Sequence, residues 1–159
     1  MASNKHEITE EYKKELEAEY QKLINELIPA NTRALQDARS QGDLSENADY
    51  DAAKDEQTRL DARKKEIDEI LKNSIIIKID NADKVQNGVY VTIEYTSPKG
   101  KVTDKFKLTS PVEADITQKK LSTESPIGKA ILDHKKGDVC KAMAPIGLLD
   151  VKIIDISLK

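Results

Sequence analysis

The sequence predicts a two-domain α+β protein. An N-terminal antiparallel α-helical coiled-coil hairpin covers residues 1–73, and a smaller domain with an antiparallel β-sheet and one helix covers residues 74–159. Three observations carry this reading. Up to Leu71, apolar and small side chains recur at alternating steps of three and four residues, the spacing of a helical seam. That pattern breaks once, at Gly42, and then restarts. After Asn73 the texture changes to β-branched runs divided by glycine and proline turns.

Composition supports the division. Charged residues make up 35% of the 159 residues and aromatic residues 4%, with no Trp, which is too little bulk for one large core. Residues 1–73 hold 12 Lys and Arg against 18 Asp and Glu, net −6, and residues 74–159 hold 14 against 11, net +3. An acidic N-terminal half argues against a general grip on duplex DNA, which needs many cations on one face. The single Cys140 cannot pair within the chain, and no apolar run approaches a membrane span. The start, Met1-Ala2-Ser3-Asn4-Lys5-His6-Glu7, lacks the apolar stretch of a signal peptide. The expected setting is the cytoplasm.

The first helix opens at Ile8-Thr9-Glu10-Glu11, with Thr9 as a candidate N-cap and acids in the first turn. Its seam is Tyr12, Leu16, Tyr20, Leu23, Leu27, Ala30, Ala34 and Ala38. Pro29 lies inside the pattern, so an irregularity is expected between Asn25 and Pro29. The second helix is expected to begin near Asp43–Ser45, with Tyr50, Ala53, Gln57, Leu60, Lys64, Ile67 and Leu71 as its seam. Arms of roughly 30 residues give a rod on the order of 45 Å long. The alanines near its end should let the arms approach and keep the tip slim.

In the second domain, Ser74–Ile79 and Val89–Tyr95 read as strands. The turn Ser97-Pro98-Lys99-Gly100 leads to a third over Lys101–Leu108, forming a hairpin. Ser125–Leu132 reads as a short helix capped by Ser125 with Pro126 at its first position. Val139–Ala142 and Val151–Ile156 supply two more strands.

The most informative segment is Gly42-Asp43-Leu44-Ser45-Glu46-Asn47-Ala48, at the apex of the hairpin. Asp43 and Glu46 stand three residues apart. One reading is a capping pair at a helix start. The other is a presented pair: two carboxylates on one turn can share a divalent cation, but they are too few to hold Mg²⁺ alone. The ion would be completed by another molecule's groups. The two readings are compatible.

The segment Gly42–Tyr50, followed by Ala52-Ala53-Lys54-Asp55-Glu56-Gln57, resembles the tip signature of the bacterial GreA/GreB transcript cleavage factor family. Further landmarks of that family are matched by Pro111-Val112-Glu113-Ala114-Asp115, Ser125–Leu132, Lys136-Gly137-Asp138 and Pro145-Ile146-Gly147. The resemblance implies a coiled coil joined to an FKBP-like domain that docks on RNA polymerase at the rim of its secondary channel. The coil reaches the active centre, where the polymerase cleaves the 3′ end of backtracked RNA. The chain would be an accessory factor, not an enzyme by itself. Asp43 and Glu46 would be the acids acting there, sharing Mg²⁺ only within the polymerase complex, with no cofactor stably bound. Leu44, Ser45, Asn47 and Tyr50 match the surrounding tip. Arg39 and Lys54 match basic positions facing RNA, and Glu124, Ser125 and Pro126 match the polymerase-binding segment. The expected partners are bacterial RNA polymerase and the nascent RNA 3′ end, with no membrane and no sequence-specific DNA contact. An inhibitory subfamily alters the tip acids, whereas Asp-Leu-Ser-Glu is the form of the stimulating members.

Other chemistries fit poorly. His6 and His134 have no partners at zinc-ligand spacing, and Cys140 sits in an apolar strand run as a small core residue. Phe106 is the only Phe, which makes an aromatic proline pocket of the isomerase type improbable. Two alternatives remain: a non-catalytic coiled-coil adaptor and an inhibitor that blocks the channel.

Overall fold

The computed structural model describes residues 5–42, 47–145 and 147–159. The chain forms two compact units. One is Glu11–Asn73, and the other joins the N-terminal residues up to Glu10 with Ser74–Lys159. The first residues, grouped with the rod by sequence, therefore fold with the second unit.

The helical unit consists of α1 (Glu10–Lys22), a π-helical turn (Leu23–Leu27), α2 (Ile28–Ser40) and α3 (Ala48–Lys72). The irregularity expected before Pro29 is that π turn, in which the Ile28 N–H bonds the Leu23 carbonyl. Widening the backbone just upstream of Pro29 relieves the clash of its ring with a preceding carbonyl. A π turn holds about one residue more than an α turn. This shifts the seam. After Leu23 the next buried side chains are Asn31, Leu35 and Ala38. The expected seam residues Leu27, Ala30 and Ala34 are exposed. Opposite them α3 buries Ala53, Leu60, Ile67 and Ile70, with Gln57 and Lys64 half-buried. Ile70 takes the place expected of Leu71. At 25 residues α3 is roughly 38 Å long.

Polar ties cross the hairpin. Arg63 on α3 donates twice to the Glu19 carboxylate on α1, at 2.7 and 2.8 Å, and reaches Glu66 at 3.2 Å. These hydrogen bonds hold the Glu19 carboxyl below the usual carboxylate range. Asn31 Nδ2 donates to the Ala53 carbonyl at 2.9 Å, so this buried amide is paired.

The second unit starts with β1 (His6–Ile8), which pairs in parallel with β2 (Ser74–Ile76). The run to Ile79 therefore yields only a three-residue strand, and it stays out of the main sheet. The polar stretch Asp80-Asn81-Ala82-Asp83 follows it with turn formers. The main sheet contains β3 (Tyr90–Ser97), β4 (Gly100–Thr109), β5 (Lys120–Ser122), β6 (Val139–Ala144) and β7 (Gly147–Ser157), in the order β5-β4-β3-β7-β6. A short helix, α4 (Pro126–Ile131), precedes β6. The expected hairpin forms with Ser97 paired to Gly100. The sheet is mixed, whereas the sequence suggested a wholly antiparallel one: β5 runs parallel to β4. Residues 110–119, including a 3₁₀ turn at Ile116–Gln118, form a crossover long enough to bring the chain back in the same direction.

Alternating strand residues face one core. Val91 and Ile93, Leu108, Cys140 and Ala142, and Val151 and Ile153 meet there with Phe106 and Ile131. Burial pushes the Cys140 thiol up, as suits a small core residue. Phe106 is consumed by this core. One carboxylate is also enclosed: Glu113, 3% exposed, accepts from the Thr9 hydroxyl at 2.8 Å. It lies 3.8 and 4.0 Å from the Lys107 and Lys120 ammoniums. Thr9 thus links the start of the chain to the second unit.

Candidate functional site at the hairpin tip

Helix α2 ends at Ser40, Gln41 closes it, and Gly42 leaves it at φ +124°, a conformation L side chains rarely adopt. The glycine stop expected from sequence is therefore present. Asp43, Leu44, Ser45 and Glu46 lie outside the described residues, as does Ile146 of the Pro145-Ile146-Gly147 landmark.

The chain resumes at Asn47, and this residue organises the far side of the tip. Its backbone is extended (φ −89°, ψ 97°), and its side-chain oxygen accepts from the Tyr50 N–H at 3.0 Å. That is an N-cap, with Asp49 and Asp51 completing a favourable first turn. The cap lies later than the expected Asp43–Ser45 start. The signal was available: Asn is among the best N-caps, and Asn47 precedes two first-turn acids. The other half of the amide crosses the hairpin. Asn47 Nδ2 donates to the Ala38 carbonyl at 2.6 Å, and the same carbonyl accepts from the Gln41 N–H at 3.3 Å. One side chain thus starts α3 and ties it to the last turn of α2.

Arg39 and Tyr50 also meet. The guanidinium carbon lies 5.7 Å from the Tyr50 ring centroid, a cation–π contact that orients both. Lys54 is not part of this cluster. It is exposed, one turn along α3, and donates to Gln57 Oε1 at 3.2 Å. Of the alanines expected to bring the arms together, Ala38 and Ala53 are buried in the hairpin, and Ala34 is exposed. Beside the buried pair, Ala30, Ala34 and Ala52 flank an open groove of about 610 Å³ with Asn31, Asp37 and Glu56.

The second predicted site lies at the start of α4. Ser125 Oγ accepts from the Gly128 N–H at 3.1 Å and donates to the Ser122 carbonyl at 2.6 Å. Pro126 fills the first helical position, as expected. Glu124 and Pro126 are exposed on either side of the cap. Gly128 is forced by close approach: a Cβ there would lie 2.0 Å from the Ser122 carbonyl oxygen. The sequence reading missed that constraint. A doubly bonded cap and a tight glycine hold this segment in one conformation.

Among the described residues no group of three or more His, Cys, Asp or Glu side chains is placed to hold a metal ion. Nor is any described helix long and apolar enough to cross a membrane.

Known proteins match over both units. The N-terminal transcription elongation factor family model matches residues 6–76, and the C-terminal GreA/GreB family model matches residues 80–158. Transcription elongation factor GreA of Thermotoga maritima is 40% identical over 151 residues, covering 94% of this chain and 93% of that protein. The factor of the same description from Ureaplasma parvum is 40% identical over 156 residues, covering 95% and 99%. That of Mycoplasmopsis pulmonis is 42% identical over 142 residues, covering 89% of each. Among solved structures, GreA factor homolog 1 of Thermus thermophilus aligns with a TM-score of 0.45 and 26% identity, over 96% of this chain and 99% of that one. With both family models matched in order along nearly its full length, the chain belongs to the GreA/GreB family of transcription elongation factors.

Proposed function

We propose that this protein works as an accessory factor of RNA polymerase, presenting Asp43 and Glu46 to the polymerase active centre to stimulate cleavage of backtracked RNA. One observation supports the reading above the others. Gly42 and Asn47 frame residues 43–46 on both sides, and Asn47 already caps α3. The first turn of that helix therefore does not need a carboxylate from the tip to bond the Tyr50 N–H. That capping role is filled by Asn47, which favours the presented reading of the two acids.

In this reading Asp43 and Glu46 complete a cation site that neither this chain nor the polymerase holds fully. Mg²⁺ bound there supplies Lewis-acid stabilisation and an acidified water for phosphodiester hydrolysis. The carboxylates fix where the attacking water sits and accept hydrogen bonds from it. Arg39, oriented by Tyr50, and Lys54 offer positive charge to RNA phosphates. Glu124, Ser125 and Pro126 dock on the polymerase. Asn47 and Tyr50 position the tip without touching the reacting atoms. Leu44 and Ser45 complete the tip motif.

The test is a stalled, backtracked polymerase complex with 3′-labelled transcript. The native protein should release short 3′ fragments, and Asp43→Ala/Glu46→Ala should lose at least a hundredfold in rate while still binding the polymerase. A native protein that binds but only slows nucleotide addition would identify a channel-blocking inhibitor. A double variant as active as the native protein would leave the hairpin as a docking adaptor.

A further inference from the structure

A basic concavity on the second unit plays no part in the tip reading. Its wall spans three neighbouring strands. Tyr90 on β3 pairs with Lys107 on β4, which pairs with Lys120 on β5, so the three side chains share one sheet face. Lys105, two residues before Lys107, shares that face. Lys119 arrives from the end of the 3₁₀ turn at φ +59°, where Gly or Asn is the usual occupant. With Gln118 these residues line a cavity of about 250 Å³ whose wall holds four lysines and no carboxylate.

The ammoniums are fixed from behind and from the side. Lys107 and Lys120 lie against buried Glu113 at 3.8 and 4.0 Å. Lys119 bonds Asp104 at 2.5 Å, and Lys105 donates to the Lys159 carbonyl at 2.9 Å. The Lys105 and Lys107 nitrogens stand 5.3 and 5.8 Å from the Tyr90 ring centroid. The acids therefore back the wall without lining the cavity. Glu113 and Asp104 offset two of the four positive charges, and a multivalent anion would offset the excess that remains.

We propose that this concavity binds the phosphate groups of a phosphorylated ligand. Lysine ammoniums recognise phosphate as point charges and need no planar fork. The volume lies just below the roughly 300–1,000 Å³ of pockets that enclose whole organic ligands. It suits a di- or triphosphate chain, with any sugar or base held outside the cavity.

Binding of inorganic triphosphate to the full chain, measured by titration calorimetry at low salt, tests this. The expected result is saturable one-to-one binding that weakens at least tenfold in Lys105→Gln/Lys119→Gln. Both lysines are exposed, and circular dichroism checks that the variant is folded; Lys105→Gln alone should fall between. Lys99→Gln/Lys101→Gln removes the same charge at the far end of the β3–β4 hairpin and should stay within twofold. A nucleoside triphosphate and a ten-nucleotide single-stranded RNA run in parallel identify the source. Tighter binding of the first than of inorganic triphosphate points to free nucleotide, and of the second to a nucleic-acid backbone, each sensitive to the cavity variant. No saturable binding of any probe, or equal weakening in both double variants, would overturn the proposal.

Discussion

The helical unit and the sheet unit reach order by different routes. In the hairpin the buried apolar side chains form a single sparse row, roughly one every two turns, and most of each helix faces solvent. In the sheet unit the core closes on itself, with Val91 and Ile93 of β3, Leu108 of β4 and Ile153 of β7 each fully buried. A row has few neighbours to share a loss, whereas a closed core distributes it. The hairpin accordingly relies on directional polar ties at Asn31, Asn47 and Arg63, while the sheet unit relies on shape. The contrast also separates stability from function: an exposed surface can carry chemistry without weakening what holds the hairpin together.

The contrast can be broken by substitution, read as shifts in the helical signal or the sheet unit's near-ultraviolet signal. Leu60→Ala should have the largest effect. It removes one of the few large side chains in the hairpin row and should cost roughly 3 kcal/mol, seen as early loss of helical signal. Gly128→Ala should cost about 2 kcal/mol in the sheet unit, because the added methyl meets a backbone carbonyl that cannot step aside. The helical signal should then change little. Asn47→Ala removes a cap and a cross-hairpin bond together and should cost about 1–2 kcal/mol. Asn47→Asp keeps the cap but loses the donor to Ala38, so it should recover only part of this.

Glu19→Gln should have the smallest effect, well under about 1 kcal/mol, because the pair with Arg63 is partly exposed. Its sign is fixed by the depressed Glu19 pKa. The contribution is present above the unfolded-state pKa of a glutamate and fades as pH falls through the lower folded value. A native-minus-variant stability difference that grows toward acid would contradict that assignment.

Much of this was legible in the sequence, and the failures have physical causes. The hairpin, its Gly42 stop, the β3–β4 turn and the Ser125 cap follow from local chemistry, and local chemistry survives folding. The buried row just after Leu23 was misread because spacing rules assume a constant turn, and past the π turn before Pro29 burial falls on Asn31 and Leu35 rather than Ala30 and Ala34, returning to the expected row at Ala38. Strand β1 was read as the approach to a helix because three residues carry too little periodicity, and their partner lies 68 positions away. The parallel pairing of β5 depends on a crossover that no local signal encodes. At the tip, Asn47 was picked out through family resemblance. Its two bonds depend on Ala38 being across the hairpin, which only the folded chain shows.

The parallel pairing of β1 with β2 has a consequence for the order in which the molecule can be made. His6 leaves the ribosome long before Ser74, and Thr9 long before Glu113. The second unit therefore cannot be completed until the hairpin has been synthesised. Helices form quickly from local contacts, and an antiparallel hairpin brings its two ends together. Early folding of residues 11–73 thus replaces a long flexible loop with a preformed bridge and removes much of the entropy cost of joining β1 to β2. Variants that loosen the hairpin, Leu60→Ala foremost, should on this account also slow completion of the sheet unit during refolding.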